Sequence, residues 1–64
     1  MTASGKEILV EFTVRGNFVK VTAIDPATGM EASIVGPASA PQATLKAGVL
    51  QKLNYVLKKQ NGGT

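Results

Sequence analysis

The patterning of the chain predicts an α+β fold, a three-stranded antiparallel β-meander with one C-terminal helix packed on one face (β-β-β-α). Three observations carry it. Apolar residues alternate with polar ones on both sides of Gly16-Asn17. A second turn signal, Asp25-Pro26-Ala27-Thr28-Gly29, passes the same apolar face on to a third alternating run. After Pro41 the period changes, and apolar residues recur at helical spacing.

The first strand is read from Ile8, Val10, Phe12 and Val14, which alternate with Leu9, Glu11, Thr13 and Arg15. Such alternation, rich in β-branched and aromatic residues, marks a half-buried strand. Val19, Val21 and Ala23 alternate with Phe18, Lys20, Thr22 and Ile24 in the second. Gly16-Asn17 between them is a two-residue hairpin loop of type I′ or II′, since Gly takes positive φ freely and Asn tolerates it. Closing that loop at Arg15 and Phe18 pairs Val14 with Val19, Phe12 with Val21 and Val10 with Ala23. Directly opposed residues share a face, and all three pairs are apolar, so a one-residue slip would mix the faces.

In the second turn Pro26 suits the first loop position and Gly29 a left-handed last one. The Asp25 side chain is placed to accept backbone hydrogen bonds. A four-residue loop then pairs Asp25 with Met30, Ala23 with Ala32 and Val21 with Ile34. The third strand is expected from Met30 to Val35, ending at Gly36-Pro37. Ser39, with Gln42 three residues on, has the spacing of a capping box, and Pro41 is tolerated in a first helical turn. Leu45, Val49, Leu53 and Val56, flanked by Leu50 and Leu57, then form a helical stripe. Gly48 within it costs roughly 1 kcal/mol relative to Ala. The helix is expected to end near Lys59 or Gln60, where Lys58 and Lys59 suit the negative end of the dipole.

The whole chain, 1–64, reads as a single domain, with 1–6 and 61–64 as disordered tails. Its expected core is Ile8, Val10, Phe12, Val14, Val19, Val21, Ala23, Ala32, Ile34, Leu45, Val49, Leu50, Leu53, Val56 and Leu57. The helix is expected to lie on the Ile8/Val10/Phe12/Val14 face, and full burial of Phe12 would make Phe12→Ala cost about 3–5 kcal/mol. So thin a core is near the minimum for a domain without staples, and self-association would relieve it.

Composition removes most catalytic layouts. The 64 residues contain no Cys and no His, and 7 Lys+Arg against 4 Asp+Glu leave a net charge of +3. Without Cys there is neither a disulfide framework nor a thiolate metal site, and without His the commonest general base and metal ligand are missing. Ser4, Thr13, Thr22, Thr28, Ser33 and Ser39 therefore lack an imidazole base, and no G-x-S-x-G elbow is present. Glu7 and Glu11 share a strand face about 13 Å apart, too far for a hydrolytic pair. Asp25 and Glu31 near one turn are too few oxygen ligands for a metal cage. Gly29 and Gly36 belong to no phosphate-binding motif. No enzymatic activity, cofactor or metal site is expected. The first apolar run, from Ile8 to Val14, is interrupted by Glu11 and Thr13 and too short to span a bilayer. The chain is read as a soluble cytoplasmic protein without a membrane partner.

Two surfaces remain as candidates. One helix covers one sheet face, so the other carries Leu9, Glu11, Arg15, Phe18, Lys20, Ile24 and Val35 as an interaction face for a protein partner or a homodimer. An edge strand is the other route to a homodimer. The helix carries Lys46, Lys52, Lys58 and Lys59 and no acid, and these four are expected to form a basic helix face. With Arg15 and Lys20 these lysines give the alternative, a weak nucleic-acid-binding protein. Three-stranded sheets backed by a helix do enter the DNA major groove, but that use needs clustered cations, and Arg15 and Lys20 stand beside Glu7, Glu11 and Glu31.

The run Gly5-Lys6-Glu7-Ile8-Leu9-Val10-Glu11-Phe12, the stretch from Gly16 to Gly29, and the segments Ser33-Ile34-Val35-Gly36-Pro37 and Leu53-Asn54-Tyr55-Val56-Leu57 carry a resemblance over nearly the whole chain. It resembles a family of short, uncharacterised bacterial proteins, alphaproteobacterial in origin, some of whose members bear a serine hydroxymethyltransferase label. The resemblance implies no catalytic residue. The label does not suit this chain, because a pyridoxal-phosphate enzyme needs a large pocket and a Schiff-base lysine with supporting partners.

Overall fold

A computed structural model describes the backbone of residues 7–62 and the side chains of residues 7–59. Strands β1 (Leu9–Arg15), β2 (Phe18–Asp25) and β3 (Met30–Pro37) are followed by helix α1 (Gln42–Gly62). The strands form one antiparallel sheet in the order β1-β2-β3. This is the expected meander, and its register is the expected one. Phe12 pairs with Val21, Val14 with Val19, and Val21 in turn with Ile34.

Both turns form for the expected reasons. Gly16 has φ +59° and Gly29 φ +77°, the left-handed values that glycine adopts without strain. Asp25 organises the second turn. Its carbonyl accepts the Gly29 N–H at 2.8 Å, and its carboxylate accepts the Ala27 N–H at 3.0 Å and the Thr28 hydroxyl at 3.2 Å. Asp25 is fully buried, so these bonds take the place of water. Asp25→Ala is expected to cost about 1–3 kcal/mol in urea unfolding, because donors paired in the native turn lose their acceptor. A loss under about 0.5 kcal/mol would show that the turn holds without its carboxylate.

Four expectations need correction. β3 runs two residues past Val35, with Val19 paired to Gly36 and Phe18 to Pro37, and the Asn17 carbonyl takes the Ala38 N–H at 2.8 Å one step further on. Ser39 does not cap the helix. The Pro41 carbonyl accepts the first helical N–H groups, from Thr44 and Leu45, so Pro41 itself is the N-cap residue and Gln42 begins the helix. At the other end α1 continues to Gly62, beyond Lys59 and Gln60. The tail expected at 1–6 and the last two residues of the one expected at 61–64 lie outside the described residues.

The largest correction concerns the lateral position of α1. It lies on the expected face of the sheet but over β3 and β2. The buried core is Val19, Val21, Ala23, Ala32, Leu45, Val49 and Leu53. Ile8, Val10, Phe12, Ile34, Leu50 and Leu57 are only half-buried around it, as is Val56, and Val14 is 66% exposed. The cause is a close approach. A Cβ on Gly36 would stand 2.6 Å from Leu45 Cδ2, so the bare backbone of Gly36 lets α1 press onto β3. Phe12 is therefore not the buried anchor that a cost of 3–5 kcal/mol would require.

Candidate interaction surface

The period of two places alternate strand residues on the face away from α1. The observed register arranges them in rows across the sheet: Leu9–Ile24–Glu31, Glu11–Thr22–Ser33, Thr13–Lys20–Val35 and Arg15–Phe18–Pro37. All seven residues expected on an interaction face, Leu9, Glu11, Arg15, Phe18, Lys20, Ile24 and Val35, thus share one surface. Leu9 is 51% exposed, Phe18 59% and Val35 66%, while Ile24 is half-buried between Leu9 and Glu31. A hydrogen bond of 3.1 Å joins the hydroxyls of Thr22 and Ser33 at the middle of the face.

The rows also divide the face electrostatically. Glu11 and Glu31 lie in the two rows farther from the Gly16 hairpin, and Arg15 and Lys20 in the two rows nearer to it. At the nearer end Thr13, Arg15, Phe18, Lys20 and Val35 line a shallow depression of about 340 Å³. It combines two exposed apolar side chains with two cations, and no carboxylate lines it. Thr13 is a member that the sequence reading did not single out, although its alternation already put it on this face.

The four helix lysines do not form one surface. Lys52 and Lys59, seven residues apart, fall two turns from each other on the flank over β3, where Lys52 Nζ donates to the Ser33 carbonyl at 2.8 Å. Lys59 Nζ lies 5.6 Å from the centroid of the Tyr55 ring. By helical spacing Lys46 falls on the opposite flank, beside Leu50 and Leu57, and Lys58 points outward. Lys58 joins Gln51, Asn54 and the exposed Tyr55 around a second shallow depression of about 420 Å³, which is more open than the first. Tyr55 was not expected as a surface feature, and its position opposite the apolar stripe was the signal for it.

Among the described residues no three Asp, Glu, His or Cys side chains converge as a metal site would require. No helix among them is long and apolar enough to cross a membrane.

An open-faced three-stranded sheet backed by a single helix places the protein among small α+β domains with one uncovered sheet surface. Residues 5–60 match the model of the domain of unknown function DUF6898, and the chain belongs to that family. No curated protein and no solved structure matches it.

Proposed function

We propose that the protein is a non-enzymatic protein-interaction module that binds an acidic, apolar-bearing protein segment on the hairpin end of its open sheet face. The observation that carries this reading is the depression that Phe18 and Val35 line together with Arg15 and Lys20, with the carboxylates of the face held at its other end. Apolar side chains supply affinity, and the flanking cations orient and select a partner of opposite charge. A cytoplasmic setting belongs to the proposal, supported by a chain without Cys. The alternative, binding of nucleic acid through the basic helix with Arg15 and Lys20, would draw on lysines that are dispersed around α1, one of them engaged by Ser33.

Selection from a random peptide library against the immobilised protein tests the reading. Enriched peptides should combine Asp or Glu with large apolar residues. Phe18→Thr with Val35→Thr keeps strand propensity and removes the apolar contacts, and it should weaken those peptides tenfold or more. Lys46→Glu with Lys58→Glu should leave them bound. The reading fails if the double threonine variant binds as the parent does. It also fails if a single-stranded DNA oligonucleotide binds more tightly at physiological salt than any peptide and is lost with the helix variant.

A further inference from the structure

The two edges of the sheet are treated differently. At the β3 edge α1 packs close by, Lys52 occupies the Ser33 carbonyl, and the strand ends in Gly36-Pro37. Positive side chains, prolines and covering helices are the devices that keep an edge from pairing. β1 has neither a proline nor a covering helix, and its two charges, Glu11 and Arg15, are of opposite sign. Its sequence, LVEFTVR, contains no Lys and no Pro, and among the described residues nothing pairs with its outer side.

Hairpin geometry states which groups β1 offers. A two-residue loop makes Arg15–Phe18 a hydrogen-bonded pair, so Leu9, Glu11, Thr13 and Arg15 turn their N–H and C=O groups toward β2. Val10, Phe12 and Val14 turn theirs to the open edge. The side chains of these three residues lie on the helix side of the sheet, where α1 leaves them half-buried or, for Val14, 66% exposed.

We propose that β1 is a self-pairing edge, and that its occupant is β1 of a second copy of this chain, antiparallel about a twofold axis at Thr13. Parity requires Val10, Phe12 and Val14 to pair among themselves, which leaves few registers. Centring on Glu11 sets Glu11 against Glu11 of the second copy, and like charges directly opposed are unfavourable. Centring on Phe12 sets Glu11 against Thr13 and joins no charges. Centring on Thr13 sets Glu11 opposite Arg15 of the second copy, twice by symmetry, and Thr13 opposite Thr13. These are non-hydrogen-bonded pairs, where side chains approach most closely. On the helix side the same register sets Phe12 against Val14 of the second copy, burying the side chain that α1 leaves most exposed on that face. The product is a continuous six-stranded sheet with closed twofold symmetry, its new edges being the two guarded β3 strands. The interface shares Thr13 and Arg15 with the peptide-binding depression but does not use Phe18 or Val35, so substitutions at those two positions separate the two readings.

Pairing of one strand edge falls below the about 1,200 Å² of a standard interface, so association is expected in the micromolar range or weaker. Sedimentation velocity over roughly three decades of concentration, up to about 1 mM, should show monomer passing to dimer and no larger species. Arg15→Glu puts like charges opposite each other and should weaken the dimer about tenfold or more. Glu11→Arg combined with Arg15→Glu should restore it. Val14→Pro deletes a donor on the open side and the side chain set against Phe12 while sparing the N–H groups bonded to β2, and it should also disrupt dimerisation. Circular dichroism checks the fold of each variant, and should Val14→Pro fail to fold, the charge reversal and its rescue still decide. A protein that stays monomeric throughout overturns the proposal. So does a dimer unaffected by Arg15→Glu, or one that the double reversal does not restore. A dimer lost instead with Phe18→Thr and Val35→Thr would place self-association on the open face and overturn the edge assignment.

Discussion

Leu53→Ala is expected to leave the chain largely unfolded at physiological temperature. Leu53 is 2% exposed and is among the largest fully buried side chains. It lies in the cluster formed with Val19, Val21, Ala23, Ala32, Leu45 and Val49. Large-to-small substitution at such a site costs about 2–5 kcal/mol, from lost transfer energy and the cavity left behind. A domain of this size without disulfide or metal holds only about 3–5 kcal/mol in all, so one deletion removes most of its stability. Urea unfolding at low protein concentration, where self-association adds nothing, should show the folded baseline shortened or lost. Val56→Ala, at a half-buried position on the same stripe, should cost visibly less. A loss under about 1 kcal/mol at Leu53 would mean that α1 contributes little to the core.

The contrast between Leu53 and Phe12 shows what sequence patterning can and cannot determine. Period-two alternation in three strands, joined by turns of defined length, leaves one register that keeps the apolar face unbroken, and that register is the one observed. It also assigns each of the seven interaction-face residues to its side of the sheet. Alternation says nothing about where a helix lies across that sheet. The decision rests on Gly36, where a missing Cβ admits Leu45, and on the short turn in which the Ala40 N–H bonds the Pro37 carbonyl. That turn starts α1 beside β3, and the helix reaches β2 but leaves β1 half covered. Val14 is consequently a surface residue despite sitting on the core side. Ser39 departs from its expected role for a related reason. Spacing to Gln42 suited a cap, but Pro41 already supplies the carbonyl that the first turn needs. The scatter of the lysines follows from 3.6-residue periodicity alone, which the expectation of one basic helix face does not take into account. The hydrogen bond from Lys52 to Ser33 was not legible in the sequence, because it depends on the lateral placement of the helix.

If Gly36 sets that placement, Gly36→Val should be strongly destabilising although β propensity alone favours the substitution. A Cβ there stands 2.6 Å from Leu45 Cδ2 and 3.9 Å from Cγ, and Leu45 is 7% exposed, so any shift of its side chain takes place within the core. Valine adds two further methyl groups to that collision. Overpacking of this kind costs about 1–3 kcal/mol or more, enough to outweigh a strand-propensity gain of about 1 kcal/mol. Gly36→Ala should destabilise less but with the same sign. Gly48 provides the opposite case. A Cβ there meets Ile34 Cδ1 at 3.4 Å, an ordinary contact, so Gly48→Ala should recover up to about 1 kcal/mol of helix propensity. Combining Gly36→Ala with Leu45→Ala should cost less than the sum of the single changes, because the shortened side chain vacates the space that the new Cβ needs. The close approach of α1 to β3 is refuted if Gly36→Val leaves the urea midpoint unchanged or raises it, or if the double change is merely additive.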